Sequence, residues 1–259
     1  MITSSTNPRV KSVVRLQQKA AERRTTGTFC VETPRTLERA LTAGLTVDTI
    51  YFDPDDAPPM HLMERALASG ARAMEVKRSV LEKMAYRNHP EGFVAVIRGR
   101  STTLEDLGEV GWCVVCSNVE KPGNLGAILR TADGAGASAV LVDQPGFDLY
   151  NPNCIRASTG AVFSMPVICD TAAHLRTWLS DRKMRCVAAT PEADQLYTEA
   201  DLGGPVALVL GAEAEGLDAD WKAVAAPVRL PMHGLADSLN VSVTAGILMY
   251  ETLRQRSVR

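Results

Sequence analysis

From residue 112 onward the chain alternates short apolar runs with longer helical ones, and this alternation narrows the fold more than any other feature. Strands are predicted at 112–117, 139–143, 185–189, 206–210 and 227–230, with helices near 124–136, 153–162, 172–182, 218–224 and 238–254. Runs such as Trp112-Cys113-Val114-Val115-Cys116 and Val206-Ala207-Leu208-Val209-Leu210 are apolar at every position, so they need cover on both faces. Strands of that kind separated by helices make a parallel sheet in an α/β fold. In open parallel sheets ligands bind beyond the carboxyl ends of the strands. The loops after the strands are therefore where function is sought.

Residues 1–98 read as a smaller α/β unit. A basic helix is predicted over 1–26 and strands over 28–33, 47–53 and 92–98. A helix opens at Pro34 and stops before Gly44, a second lies near 60–69, and "SVLEKMA" is another helical piece. The polar stretch "GRSTTLEDLGEVG", 99–111, breaks the pattern and reads as a linker. The expected organisation is thus a unit at 1–98, a linker at 99–111 and a sheet domain at 112–259.

Composition serves mainly to exclude. No apolar run is long enough to span a bilayer, and the N-terminus lacks the apolar core of a signal peptide, so a cytoplasmic location is expected. The net charge is −2, yet residues 1–40 hold Arg9, Lys11, Arg15, Lys19, Arg23, Arg24, Arg35 and Arg39 against Glu22, Glu32 and Glu38. Such a basic segment suits a polyanion, or a solvated helix face. The six cysteines are scattered. Cys113 and Cys116 have redox-motif spacing, but three residues along a strand places them on opposite faces. With no histidine pair nearby, reduced structural thiols and no metal are expected.

Three stretches gather chemistry. In "NVEKPGNLGAILRTADGAGAS" (118–138), Leu125, Ile128, Leu129, Ala132 and Gly136 share one helix face, and Gly123, Gly126, Ala127, Arg130 and Gly134 share the other. Glycine inside a helix costs ~1 kcal/mol relative to alanine, so a stripe of small residues implies close approach by another backbone or a ligand. Arg130 stands alone on that stripe. Asn124 is a good N-cap for the helix. In "VALVLGAEAEGLDADW" (206–221), a buried strand ends at Leu210, and Gly211 opens a polar turn with Glu213 and Glu215. In "VRLPMHGLADSLNVSVTAGILMYETLRQR" (228–256), a strand ends at Leu230, and Ser238-Leu239-Asn240 open a helix. Residues 241–250 are nearly apolar all round, so that helix is expected to be buried, with Asp237 or Ser238 as its cap. Neither a GxGxxG nor a GxxxxGK[ST] phosphate loop occurs, which disfavours NAD or nucleotide triphosphates.

Taken in order, "NVEKPGNLGAILRTADGAGAS", "LVLGAEAEGL" and "LPMHGLADSLNVSVTAGILMYE" resemble the three motifs of the SpoU/TrmH family of RNA ribose 2′-O-methyltransferases. "CIRASTGAVFSMPV" (154–167) resembles the segment between them, and the similarity runs over about 110–256. The N-terminal unit resembles, more loosely, the family's RNA substrate-binding domain. "VETPRTL" departs from it, with Thr33-Pro34 where members usually have a glycine after the glutamate.

The resemblance implies a SPOUT parallel-sheet domain with a deep trefoil knot, S-adenosylmethionine as cofactor, and a homodimer whose active sites borrow from both subunits. Carried across residue by residue, it places Thr190, Leu210, Gly211, Leu230, Met232 and Leu239 around the cofactor. It places Asn124, Arg130, Glu213, Ser238 and Asn240 around the reacting ribose. The resemblance makes Arg130 the base or, because guanidinium hardly ever loses its proton, a cation that binds the phosphate and steadies the developing alkoxide. The 2′-hydroxyl distinguishes RNA from DNA. The separate N-terminal unit favours ribosomal RNA over transfer RNA, which stays open, as does an RNA-binding relative without catalysis.

Overall fold

The computed structural model describes residues 1–212 and 216–258. The chain divides into two compact units, one of Met1–Arg100 with Asp148–Ser164, the other of Ser101–Phe147 with Met165–Arg259. This grouping takes 148–164 out of the stretch expected as one sheet domain.

The first unit holds α1 (Pro8–Gln18), α2 (Ala20–Thr26), β1 (Thr28–Val31), α3 (Pro34–Thr42), β2 (Val47–Phe52), α4 (Met60–Ala68), β3 (Arg72–Glu75), α5 (Arg78–Met84) and β4 (Phe93–Arg98). Its sheet runs β1-β4-β2-β3, with β4 antiparallel to both neighbours and β2 parallel to β3. Val10, Val13 and Leu16 of α1 pack with Val80, Leu81 and Met84 of α5 against Tyr51, Val94 and Val96.

The single basic helix expected over 1–26 is two helices. Lys19 between them is extended, and Arg23 of α2 folds back to donate from Nη1 to the carbonyls of Leu16 and Gln17, the open end of α1. Arg23 is 5% exposed and pairs with Asp148 at 2.5 Å. Arg39 donates to the Thr159 carbonyl at 2.6 Å. Part of the basic segment is therefore structural, and these contacts join 148–164 to the first unit.

Strand β3 is a finding that the sequence pattern did not announce. It is an edge strand with exposed ends and no apolar alternation. The departure at "VETPRTL" is accommodated locally. Thr33 is extended, so glycine is not required, and its hydroxyl accepts from Thr36 N to cap α3. Glu32 beside it is buried, accepting from Gln17 Nε2 and from the Tyr86 and Arg87 amides. Burial pushes its carboxyl above the ordinary value, against the pull of those amides and Gln17.

Between the two parts of the second unit lies α7 (Pro152–Ser158), in the segment grouped with the first. The second unit holds β5 (Trp112–Cys116), α6 (Pro122–Ala135), β6 (Ala139–Val142), β7 (Val167–Cys169), α8 (Ala172–Asp181), β8 (Arg185–Ala189), β9 (Val206–Leu210), α9 (Ala219–Val224), β10 (Ala225–Val228) and α10 (Val241–Ser257). Its six strands run β10-β8-β9-β5-β6-β7, all parallel. The two uniformly apolar runs, β5 and β9, sit side by side at the centre, buried throughout.

Strand β10 lies two residues earlier than the expected 227–230. Pro227 within it lacks an amide and is tolerated because β10 is an edge. The three-residue β7 was not expected. No disulfide joins the six cysteines, and burial pushes the thiols of Cys30, Cys113 and Cys186 upward and that of Cys169 to about 12. Among the described residues no helix is long and apolar enough to cross a membrane, and no cluster of three or more His, Cys, Asp or Glu could hold a metal ion.

Candidate active site

Where β8, β9 and β10 end, the chain makes three loops, and a cavity of about 390 Å³ lies among them. Thr190 follows β8, Leu210 and Gly211 close β9, and Leu230, Met232 and Leu239 follow β10. All six line the cavity, as does Ser238. The strand-end rule thus holds here, and the six residues expected around a cofactor meet in one place.

Gly211 explains how the β9 loop is built. Ala212 and Gly216 pair across the turn, with N···O distances of 3.0 and 3.1 Å. A Cβ on Gly211 would stand 2.5 Å from the carbonyl carbon of Gly216, so only glycine lets the two arms close. Glu213, expected in the catalytic set, lies outside the described residues, as do Ala214 and Glu215.

The apolar part of the wall comes from Leu210, Leu217, Leu230, Met232, Leu239 and Val241. Charged side chains reach the cavity from Glu192, Asp237 and Lys222; of these the sequence had singled out only Asp237, and as a helix cap. Glu192 carried a usable signal, since it lies three residues beyond the carboxyl end of β8. Lys222 carried none, because only the fold brings α9 to this loop cluster.

Asn124 and Asn240 meet beside the cavity. Asn240 Nδ2 donates to Asn124 Oδ1 at 3.3 Å. Asn124 is not the cap expected of it, and the cap expected at Asp237 or Ser238 is instead Asn240. Helix α6 begins earlier than 124, at Pro122 with Lys121 as its N-cap, so Asn124 lies within the first turn instead of capping it. The cap of α10 is Asn240, whose Oδ1 accepts from Ser242 N at 2.9 Å and Ser242 Oγ at 2.6 Å. This frees Asp237 and Ser238 to face the cavity.

Helices α6 and α10 lie side by side in the same direction. Thr131 faces Gly246, and Gly134 faces the Tyr250 hydroxyl, 3.5 Å from where a Cβ would be. The small-residue stripe is thus occupied in part by α10. Helix α10 is not buried all round as expected: Val243 and Tyr250 are about half exposed.

Arg130 is exposed and is not part of the cavity wall. Among the described residues it has no hydrogen bond or ion pair. It stands six residues after Asn124, roughly 9 Å along the helix and about 120° around it. The structure therefore assembles Asn124, Asn240 and Ser238 with the cavity of one chain and leaves Arg130 on the flank.

Beneath these loops, Asp143 at the end of β6 accepts from Asn118 N at 2.9 Å and from Trp221 Nε1 at 2.8 Å. It fixes the loop before α6 to the buried indole of α9. Ser117 N donates to the Leu210 carbonyl at 2.8 Å, tying the same loop to the end of β9.

Comparison with known proteins identifies the family. The sequence pattern of the SpoU rRNA Methylase family matches residues 111–250, and that of the MRM3-like substrate binding domain matches residues 7–95. The chain is 34% identical over 225 residues to the 23S rRNA (guanosine-2′-O-)-methyltransferase RlmB of Ralstonia nicotianae, covering 82% of this chain and 90% of that protein. A crystal structure of an RNA 2′-O ribose methyltransferase superposes with a TM-score of 0.86 at 42% identity, over 99% of both chains. The AdoMet-bound rRNA methyltransferase from Sinorhizobium meliloti superposes with a TM-score of 0.88 at 31% identity, over 98% of this chain and 97% of that one. With the motifs, the all-parallel sheet and the loop cavity in agreement, this chain belongs to the SpoU rRNA methylase family.

Proposed function

We propose that this protein transfers a methyl group from S-adenosylmethionine to the 2′-hydroxyl of a ribose in ribosomal RNA, of the 23S type. One observation carries the reading. The loops after β8, β9 and β10 enclose a single cavity, with Asn124 and Asn240 hydrogen-bonded beside it.

The cavity suits the cofactor chemically. A volume of about 390 Å³ is within the range of small-molecule sites, which are largely apolar with a few placed polar groups. The leucines and Met232 would hold the adenine and the carbon chain. Glu192 and Asp237 suit ribose hydroxyls and positive charge, and Lys222 suits a carboxylate. When bound, S-adenosylmethionine supplies a methyl that is already electrophilic on its sulfonium.

What is left to the protein is positioning and the proton of the ribose hydroxyl. Asn124, Asn240 and Ser238 orient the ribose, and holding the reacting atoms in line supplies much of the rate. Arg130 binds the RNA phosphate and stabilises the developing alkoxide while the hydroxyl proton passes to water. Glu213 steadies the turn or the guanidinium.

Arg130 enters through a second copy of the chain. Exposed Val243 and Tyr250, with half-buried Ile247 between them, follow the i, i+4, i+7 spacing of a contact face on α10, which supports a homodimer in which each cavity takes Arg130 from its neighbour. The return of the chain from the edge strand β10 to α10, beside α6 and β9, supports the trefoil knot. A cytoplasmic location and the division into 1–98, 99–111 and 112–259 complete the proposal. The two family matches leave residues 96–110 between them, in keeping with a linker there.

The test is transfer of tritiated methyl from S-adenosylmethionine to 23S rRNA, followed by alkaline hydrolysis. Alkali cuts beside every free 2′-hydroxyl. Label in alkali-resistant dinucleotides is expected, and label confined to mononucleotides contradicts the proposal.

A further inference from the structure

We infer that the first unit carries its own RNA subsite, an arginine-lined cleft that takes the phosphates of a single-stranded segment of the substrate, on one open end of its sheet. This rests on the proposal that the substrate is RNA.

The cleft measures about 540 Å³. Its floor alternates along the strands: Arg72 and Met74 on β3, Thr49 and Tyr51 on β2, Val96 and Arg98 on β4. Side chains two apart on a strand share a face, so these belong to the face that α1 and α5 cover further along. The helices cover Tyr51 and Val96 and leave the other end open. There Thr49 is paired with Arg72 across β2 and β3, and Thr28 with Arg98 across β1 and β4. Arg9 of α1 closes the cleft from above, its Nη1 set against Met74 Sδ at 3.2 Å.

The charge is lopsided. Three guanidiniums line the cleft against one carboxylate, Asp48. The β2–β4 register slips between Val47 and Thr49, and Asp48 accepts from Arg72 Nη2 at 2.9 Å while standing 3.9 Å from Arg98 Nη2. The side chains of Arg72 and Arg98 remain 65% and 67% exposed. In a core-facing position arginine is costly, and these two point instead into an open, solvated recess. Hydroxyls of Ser12, Thr26, Thr28 and Thr49 stand among them.

Guanidiniums with interspersed hydroxyls suit phosphate oxygens and ribose 2′-hydroxyls. The recess is larger than an ion needs. Arg9 is the one member of the basic N-terminal segment found here, whereas Arg23 and Arg39 of that segment are committed to structural contacts.

The test uses the full chain and a 5′-fluorescein single-stranded RNA 12-mer of mixed sequence, titrated by anisotropy at several salt concentrations. For R9Q/R72Q/R98Q, dissociation constants at least tenfold higher are expected. The slope of log affinity against log salt should flatten by about 2, since each lost single-strand phosphate contact removes about 0.7. The KM for 23S rRNA should rise while the affinity for S-adenosylmethionine stays the same. Asp48→Asn removes the opposing carboxylate and should tighten probe binding at least twofold, a gain that misfolding cannot imitate. A folded triple variant with wild-type affinity and salt slope would overturn the inference, as would Asp48→Asn binding no tighter than wild type. A wild-type protein that binds the probe through these arginines yet methylates no RNA would refute the proposed reaction and leave the cleft standing.

Discussion

Asn240 Nδ2 donates to Asn124 Oδ1 at 3.3 Å, linking the cap of α10 to the first turn of α6. The same Asn240 accepts from Ser242 N and Ser242 Oγ, so one side chain both starts a helix and reaches toward the ribose site.

These two duties separate in variants. Asn240→Asp keeps an N-cap acceptor and loses the donor to Asn124. It should melt close to wild type and transfer methyl at least tenfold more slowly. Asn240→Ala loses both, and a lost cap costs about 1 kcal/mol, roughly 2–4 °C of melting temperature in a domain of this size. Thermal melts and transfer rates on the two variants check the division.

Gly211 admits no side chain. Gly211→Val would set carbon atoms against the Gly216 backbone at a site where even a Cβ comes within 2.5 Å. The turn must open, and the cavity wall moves with it. Calorimetry should show S-adenosylmethionine affinity reduced at least tenfold, with the first unit still folded.

Arg130 separates chemistry from cofactor binding. It is exposed and outside the cavity wall, so Arg130→Ala should bind S-adenosylmethionine within twofold of wild type and melt nearly unchanged. Transfer should fall at least a hundredfold. Arg130→Lys should lose nearly as much, because lysine lacks the planar fork. Near-normal turnover in either variant would remove Arg130 from the site.

The acid limit of stability has a named contributor in α10. Glu251 is 8% exposed and accepts from Arg254 Nε and Nη2 and from Gln255 Nε2. The Arg254 hydrogen bonds hold its carboxyl below the ordinary value, against the opposing effect of burial. A depressed carboxylate stabilises the fold above its unfolded pKa, and that contribution is lost as pH falls through the folded one. Glu251→Gln should therefore melt below wild type at pH 7, and the two curves should draw together as the pH falls below the ordinary glutamate range.

What could be read in the sequence followed burial. Strands β5 and β9 are apolar at every position because both faces are covered, and their predicted places match. Edge strands gave less. Arg72–Glu75 has exposed ends, Val167–Cys169 is three residues long, and β10 was placed two residues late, starting at Pro227. The start of α6 was legible in principle, since Pro122 is a standard first helical residue. Asn124 drew the cap assignment because its side chain suits that role. The apolar run at 241–250 promised burial on all sides, but apolar composition does not say which face meets the core and which stays exposed, as at Val243 and Tyr250.

The site was legible only as an ordered set of motifs. No spacing rule says that the loops after residues 189, 210 and 228 converge, because that depends on the strand order β10-β8-β9-β5. The charge of Lys222 stayed hidden for the same reason. So did Asp143, whose two hydrogen bonds span residues far apart in sequence.

The most direct test of the whole account is mass-spectrometric mapping of methylated nucleosides in 23S rRNA and tRNA after incubation with the wild-type protein and isotopically labelled S-adenosylmethionine. The account predicts label on the 2′-oxygen of a nucleotide in 23S rRNA. Label on a base, label in tRNA alone, or no label in any RNA would contradict it.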